Sequence, residues 1–360
     1  MKLPRTLTIT LSLLAATTAF AQSEAPKLPP ADPKAPPPSL QANADPGYDA
    51  AIAACKTPAK KVPAFHFGGP GPAPRDVQIT EIPGVIAAGQ QWKYLWQDAG
   101  NNGDGIVGTR DGGLLIAQND KADVVKLDKD GNASVAYTDT HTGGALSINS
   151  KGALFIDERG LHPAIWELAP KHRLLADKFN GDTFDCIPSV LNDLTADSKG
   201  GAYFSMGGLF YASPKGVVTQ YGENLRTNGI ILSPDEKHLF VTNVGTVVEF
   251  DVQPDGSLTN QRDFAKLQAK TAGDGSATDS DGRIYVSTGP GVQVIGADGT
   301  WLGLIPTPRD IISVSFGGPG RHTLFILARG AEDSSGQQIA NAAQVYSIQM
   351  IARGPSSRPK

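Results

Sequence analysis

The chain has 360 residues, 40% of them hydrophobic, with 41 glycines and 27 prolines. That length can bury a sizeable core, and one large all-β domain of about 250 residues or more fits within it. A formal net charge of −4 argues against nucleic acid or an acidic membrane surface as the main partner.

Residues 1–21 read as a secretory signal. Lys2 and Arg5 make a positive start, Leu7 to Ala16 is an apolar run too short to span a bilayer, and Ala19-Phe20-Ala21 is an A-x-A cleavage site. The alternative is a buried N-terminal helix. No cysteine follows the cleavage site, which argues against a lipid anchor there, and no later stretch is long and apolar enough to cross a membrane. The expectation is an exported protein, periplasmic or secreted, with no membrane insertion after cleavage.

Residues 22–75 form a Pro-rich extension whose composition predicts mostly irregular, polyproline-like chain. Within it, Asp49 to Lys56 (DAAIAACK) could make one or two helical turns, and Pro63 to Pro74 is linker-like. The body runs over 76–352, with a short tail at 353–360. The two cysteines, Cys55 and Cys186, both survive signal cleavage. Export predicts a disulfide between them that staples the extension to the body. Two buried free thiols are the alternative, because sequence does not give their separation.

From about residue 100 the chain repeats. RDGGLLIA (110–117), SKGALFID (150–157), SKGGAYFS (198–205), PDEKHLFVT (234–242), SDGRIYVS (280–287) and PGRHTLFIL (319–327) each place a turn before a short β run. The central residues of these runs are Leu115, Phe155, Tyr203, Phe240, Tyr285 and Phe325, at intervals of 40, 48, 37, 45 and 40. A second turn falls between successive anchors, as in KLDKDGNASV (126–135) and VIGADGTWLG (294–303). Two hairpins per roughly 40 residues make one four-stranded propeller blade. The fold class is therefore all-β, a six-bladed β-propeller. A sandwich gives no reason for this period, and a β-helix repeats at a shorter one.

Eleven residues before each anchor, or twelve where the turn is one residue longer, stand Asp104, Gly144, Asn192, Asn228, Asp274 and Ser313. Equivalent positions in successive blades form a ring around the propeller axis. Asp104, Asn192, Asn228 and Asp274 carry oxygen acceptors, each followed by Gly or Asp. Two carboxylates and two amides suit Ca²⁺, with water completing roughly six to eight oxygen ligands. Zn²⁺, Mg²⁺ and Mn²⁺ are alternatives, and the lack of Cys and His speaks against zinc. Each Asn-Gly or Asp-Gly pair taken alone is an ordinary turn signal; only the shared offset distinguishes the four. A local calcium loop around Asp279, Asp281 and Gly282 fails, since Ala277 and Thr288 occupy its end ligand positions. Those two aspartates read as turn residues.

VLNDLTADSKGGAYFS (190–205), TNGIILSPDEKHLFVTN (227–243), GDGSATDSDGRIYVS (273–287) and VSFGGPGRHTLFILA (314–328) resemble the senescence marker protein / gluconolactonase / luciferin-regenerating family. The resemblance covers about residues 100–350. It implies a propeller with one divalent cation in the central channel, usually Ca²⁺ or Zn²⁺, and hydrolysis of lactones, with some members cleaving organophosphates. It places Asn228 and Asp274 on the metal and Asn192 near metal and substrate. Asp104 stands where the family has a glutamate in an E-G-P motif, shorter by one methylene. Val190 replaces an arginine that some sugar-lactone hydrolases carry, which argues against a gluconolactone-like substrate. FSMG (204–207) replaces F-T-D-P, altering the channel mouth at Met206.

The leading expectation is metal-assisted hydrolysis of a small-molecule lactone or related ester. Asp274 would ligate the cation and relay a proton, Asn192 would orient water or substrate, and Asp104 and Asn228 would hold the cation. His141 and Met206 would line the pocket, although a surface or turn position suits His141 as well. A second expectation is a non-catalytic propeller that binds a small molecule or protein around a structural metal. Nucleophilic serine chemistry has no G-x-S-x-G elbow here, and a quinoprotein-like propeller has no positive signal.

Overall fold

A computed structural model describes residues 25–28, 42–57, 60–61, 73–100, 102–268 and 271–358. The signal-like stretch at 1–21 and the linker residues 62–72 lie outside the described residues. Six four-stranded antiparallel sheets account for the body. Blade I comprises Gly103–Gly108, Leu114–Gln118, Asp123–Leu127 and Ala133–Tyr137. Blade II runs from Gly143–Ile148 to Arg173–Ala176, and blade III from Leu194–Ala196 to Val218–Tyr221. Blade IV runs from Thr227–Leu232 to Leu258–Lys266, and blade V from Ser276–Thr278 to Trp301–Pro306.

Blade VI closes the ring. Its inner strands are Ile311–Gly317, Thr323–Glu332 and Gln338–Gln349, and its outermost strand is Lys93–Ala99 from the start of the body. Lys93 pairs with Ser347 and Ala99 with Ala342. The first strand of each blade touches the first strands of its two neighbours in an unbroken circuit, so these six strands line the central channel.

The six anchors explain how blades stack. Each is buried, and each packs against the next blade in order. Phe155 joins Leu194, Ala202 and Phe204 of blade III. Tyr203 joins Ile230 and Leu239 of blade IV. Phe240 meets Ile284 and Val286 of blade V, and Tyr285 meets Val314 and Phe316 of blade VI. Phe325 meets Ile106 of blade I, and Leu115 meets Leu146 of blade II. The repeat in the sequence is thus a repeat of apolar joints between blades.

The turns before the anchors use a capping side chain. Asp279 accepts the Asp281 and Arg283 backbone N–H groups at 2.9 and 3.0 Å, and the Tyr285 hydroxyl at 2.9 Å. Asp197 accepts the Lys199 and Gly201 N–H groups, both at 2.8 Å, and the Tyr211 hydroxyl at 2.7 Å. Asn149 accepts from Lys151 and Ala153, both at 3.0 Å. Such Asx turns fix the hairpin entry in blades II, III and V.

The N-terminal extension contributes a helix, Tyr48–Ala53, joined to the body by a Cys55–Cys186 disulfide with a Cα–Cα distance of 5.7 Å. Tyr48, Ile52 and Cys55 pack with Leu161 and Cys186. Farther upstream, Leu28 exchanges backbone hydrogen bonds with the outer hairpin of blade VI.

Candidate functional site

Every ring position identified from sequence lies at or just before the start of a channel-lining strand. Asp104, Gly144, Asn228 and Ser313 fall within those strands, and Asn192 and Asp274 precede theirs by two residues. Asp104 and Asp193 both lie close enough to raise the Asp274 carboxyl, with Arg159 and Arg329 lowering it from the same field. Burial first, and the Asp104 carboxylate second, push the Asp274 carboxyl up to about 7.

The side chains differ in how they are committed. The Asn228 side-chain oxygen is buried with no hydrogen-bond partner. Its backbone carbonyl accepts the Ser205 hydroxyl at 2.6 Å. Asn192 is fixed by its backbone: its N–H donates to Ser205 O at 2.9 Å, and its carbonyl accepts from Arg159 Nη2. Ser313 is a brace, accepting the Ile106 N–H from blade I at 3.3 Å. Ser287 Oγ similarly ties Gly275 O to Ile312 O, at 2.7 and 2.9 Å.

Three groups escaped the sequence reading. Asp157 is fully buried; its Oδ1 accepts the Gly144 N–H at 3.0 Å and the Ala145 N–H, and its Oδ2 lies 3.3 Å from Arg159 Nε. Burial pushes its carboxyl up to about 6 despite that arginine. Asp193 accepts the Leu194 N–H at 2.8 Å and, across the blade boundary, the Ile230 N–H at 3.0 Å, which anchors the strand carrying Asn228. Arg159 is the third. Its side chain is 4% exposed, and Nη1 pairs with Asp104 Oδ2. A signal for it existed: Arg159 and Arg329 both stand four residues after their anchors, Phe155 and Phe325.

The remaining candidates sit farther out. Met206 is 2% exposed and, with Val190 and Arg159, walls a cavity that Asn43 and Tyr48 of the extension also line. The cavity holds about 10 Å³, room for roughly one water. His141 is exposed on the rim and its Nδ1 lies 3.1 Å from Glu158 Oε2. Away from the channel, His238, Glu249 and Asp251 form a group of possible metal-ligating atoms within 4.8 Å of one another, and Arg262 already pairs with both carboxylates at 2.8 Å.

The channel residues fit a hard divalent cation. Asp104, Asp157, Asp193 and Asp274, when ionised, carry four negative charges against the two positive charges of Arg159 and Arg329, leaving −2. An orphaned buried amide oxygen on Asn228 adds a neutral donor.

A closed six-bladed propeller that gathers carboxylates and amides at the starts of its inner strands defines a class with its functional centre on the axis. Residues 143–329 match the SMP-30/gluconolactonase/LRE-like region family, and the chain belongs to that family. It is 29% identical over 313 residues to lactonase drp35 of Staphylococcus haemolyticus, covering 78% of this chain and 92% of that protein. It is 27% identical over 217 residues to a gluconolactonase of Zymomonas mobilis, covering 51% of this chain and 60% of that protein. The solved structure of a gluconolactonase from Xanthomonas campestris superposes with a TM-score of 0.63 at 20% identity, covering 79% of this chain and 98% of that one, a likeness of fold.

Proposed function

We propose that this protein is an exported, cation-dependent hydrolase of a lactone or related ester. The observation that carries the reading is the gathering of Asp104, Asp274 and the orphaned Asn228 amide oxygen at or just before the starts of the channel-lining strands. Family membership and the lactonases among its relatives support the same chemistry. Asp104, Asn228 and Asp274 would hold the cation, with Asn192 beside it. When bound, the cation would act as a Lewis acid toward the substrate carbonyl and lower the pKa of water. Ca²⁺ suits the all-oxygen donor set best.

Asp274 would take the proton from the attacking water and return it to the leaving alkoxide. Asp193 keeps the Asn228 strand in register, and Ser205 fixes the backbones of both Asn192 and Asn228. Val190 stands where some sugar-lactone hydrolases carry an arginine, which removes a sugar-hydroxyl donor and favours a lactone other than a polyhydroxylated sugar lactone. The cystine fits an oxidising compartment, as export requires.

The test is hydrolysis of a lactone panel by the purified protein, with and without chelator. Turnover should require the cation and fall at least about 100-fold in Asp274→Ala. No cation-dependent turnover across the panel would sink the enzymatic reading. One observation then favours a non-catalytic binding propeller: the cavity beneath Asn43 and Tyr48 holds only about one water.

A further inference from the structure

The ring has an oxygen ligand in four blades and a brace in blade VI. In blade II it has Gly144, with no side chain at all. The space is not empty. A Cβ at Gly144 would overlap the guanidinium of Arg159, so this position admits Arg159 only because it is glycine. Arg159 arrives from the next strand of its own blade, Leu154–Glu158, one residue beyond its end.

Each nitrogen of the guanidinium is engaged. Nη1 pairs with Asp104, Nε with Asp157 Oδ2 at 3.3 Å, and Nη2 donates to the Asn192 carbonyl. Three of its five N–H donors, one on each nitrogen, are committed to ring or ring-supporting groups. A buried arginine that already satisfies Asp104 is a tethered positive charge inside a site built for a cation. Asp104 is also the ring residue that is one methylene shorter than the glutamate implied by the family resemblance.

We infer that Arg159 competes with the divalent cation for Asp104, holding the carboxylates together when the ion is absent and weakening the ion's binding when it arrives. The inference rests on the cation part of the proposed function and not on the identity of the substrate. Two positive charges sharing one carboxylate repel, and the repulsion is weakly screened in a buried channel. The ion would bind with Asp104 shared or released from Arg159. Arg329 is a second cation in the same field, lowering the Asp274 carboxyl where Asp104 raises it; Arg159 pairs directly with the ring carboxylate Asp104.

The experiment is Ca²⁺ titration of the chelator-treated full-length mature protein by calorimetry, for wild type, Arg159→Met, Arg159→Lys and Gly144→Ala. Arg159→Met keeps an apolar stem over Gly144 and removes the charge. It should bind Ca²⁺ about tenfold or more tightly than wild type, while its cation-free form melts lower. Arg159→Lys, which retains the charge, should stay near wild type. Gly144→Ala should expel the guanidinium and tighten Ca²⁺ binding in the same direction. Tighter binding is a gain that misfolding cannot imitate. Equal or weaker Ca²⁺ binding in both Arg159→Met and Gly144→Ala, or no Ca²⁺ binding in any of the four proteins, would overturn the inference. Ca²⁺ binding with unchanged affinity in the variants leaves lactone hydrolysis standing; tightened binding without lactone turnover removes only the hydrolase reading.

Discussion

In the folded chain Asp274 favours its neutral form, because burial and the neighbouring Asp104 raise its carboxyl to about 7. The linkage has a definite sign. A carboxyl raised on folding contributes fully below its unfolded value, and that contribution is lost as pH climbs through about 7. Asp157, raised to about 6, adds a loss at slightly lower pH. The cation-free protein should therefore lose stability as pH rises from about 4 to about 7, by an amount on the order of 4 kcal/mol from Asp274. Asp274→Asn, which imitates the neutral form, should flatten that slope and melt a few degrees above wild type at pH 8 in chelator. Only at about pH 3.5, below the unfolded value, should the two converge. Parallel melting curves at both pH values would show that Asp274 ionises freely in the fold. Asp104, Asn192, Asn228 and Asp274 were legible because they share one offset to an aromatic or leucine anchor. Arg159 and Asp157 were not, because they reach the ring from the neighbouring strand, and an offset counted from one strand does not report on side chains leaning in from another.

At the scale of single elements, the helix Tyr48–Ala53 is the least self-sufficient part of the structure. Six residues are too few to hold helical form alone in water. Three attachments hold the surrounding segment: the packing of Tyr48 and Ile52 on Leu161, the Ala42 N–H to Arg159 O bond at 2.7 Å, and the Cys55–Cys186 bridge. Lys56 adds bonds to Asp182 Oδ1 and Asn180 O at 3.2 and 2.9 Å, both exposed and of small energetic weight. The bridge closes a sequence separation of 131, so its loss should cost roughly 2–4 kcal/mol. In Cys55→Ser/Cys186→Ser, the Tyr48–Ala53 amides should exchange much faster while the blade amides keep their protection. Because Asn43 and Tyr48 wall the cavity above Arg159, the same variant should accept bulkier lactones, read as a lower KM for the larger members of the panel. Unchanged exchange at Tyr48–Ala53 would mean that apolar packing alone retains the helix. The sequence showed helical turns within Asp49 to Lys56, and it showed two cysteines. It did not show that Tyr48 of the helix reaches the cavity beside Arg159, since that depends on where the segments around Leu161 and Cys186 lie.

For the molecule as a whole, the decisive problem is closing a ring made from a linear chain. The 40-residue period was visible because each blade needs the same two hairpins and one apolar anchor. Closure was not visible: Lys93–Ala99 pairs with Gln338–Gln349 across nearly the whole length of the body, and neither strand carries a mark of the other. A second device locks the ring from below. After the last strand, the chain crosses the far side of the propeller, away from the ring positions. Ile351 N–H bonds to Val85 O at 2.9 Å, Arg353 O accepts from Ser280 in blade V at 2.8 Å, and Ser357 Oγ reaches Pro234 O in blade IV. Farther along this tail is Arg358, which is 1% exposed. Arg358 Nη2 donates to Thr195 Oγ1 and Ala196 O of the blade III inner strand at 2.8 and 3.0 Å, and Nη1 lies 3.2 Å from Glu236 Oε1 of blade IV. A tail that binds blades III, IV and V stitches together the part of the ring opposite the closing strand. Arg358→Ala leaves Glu236 partly buried without this counter-charge and the Ala196 carbonyl without this donor, at a cost of roughly 2–4 kcal/mol. The variant should melt several degrees lower, with faster amide exchange in Leu194–Ala196 than in the blade VI strands that the N-terminal strand secures. Removing residues 353–360 should have the same effect. A melting point within a degree of wild type for both would show that the closing strand alone holds the ring.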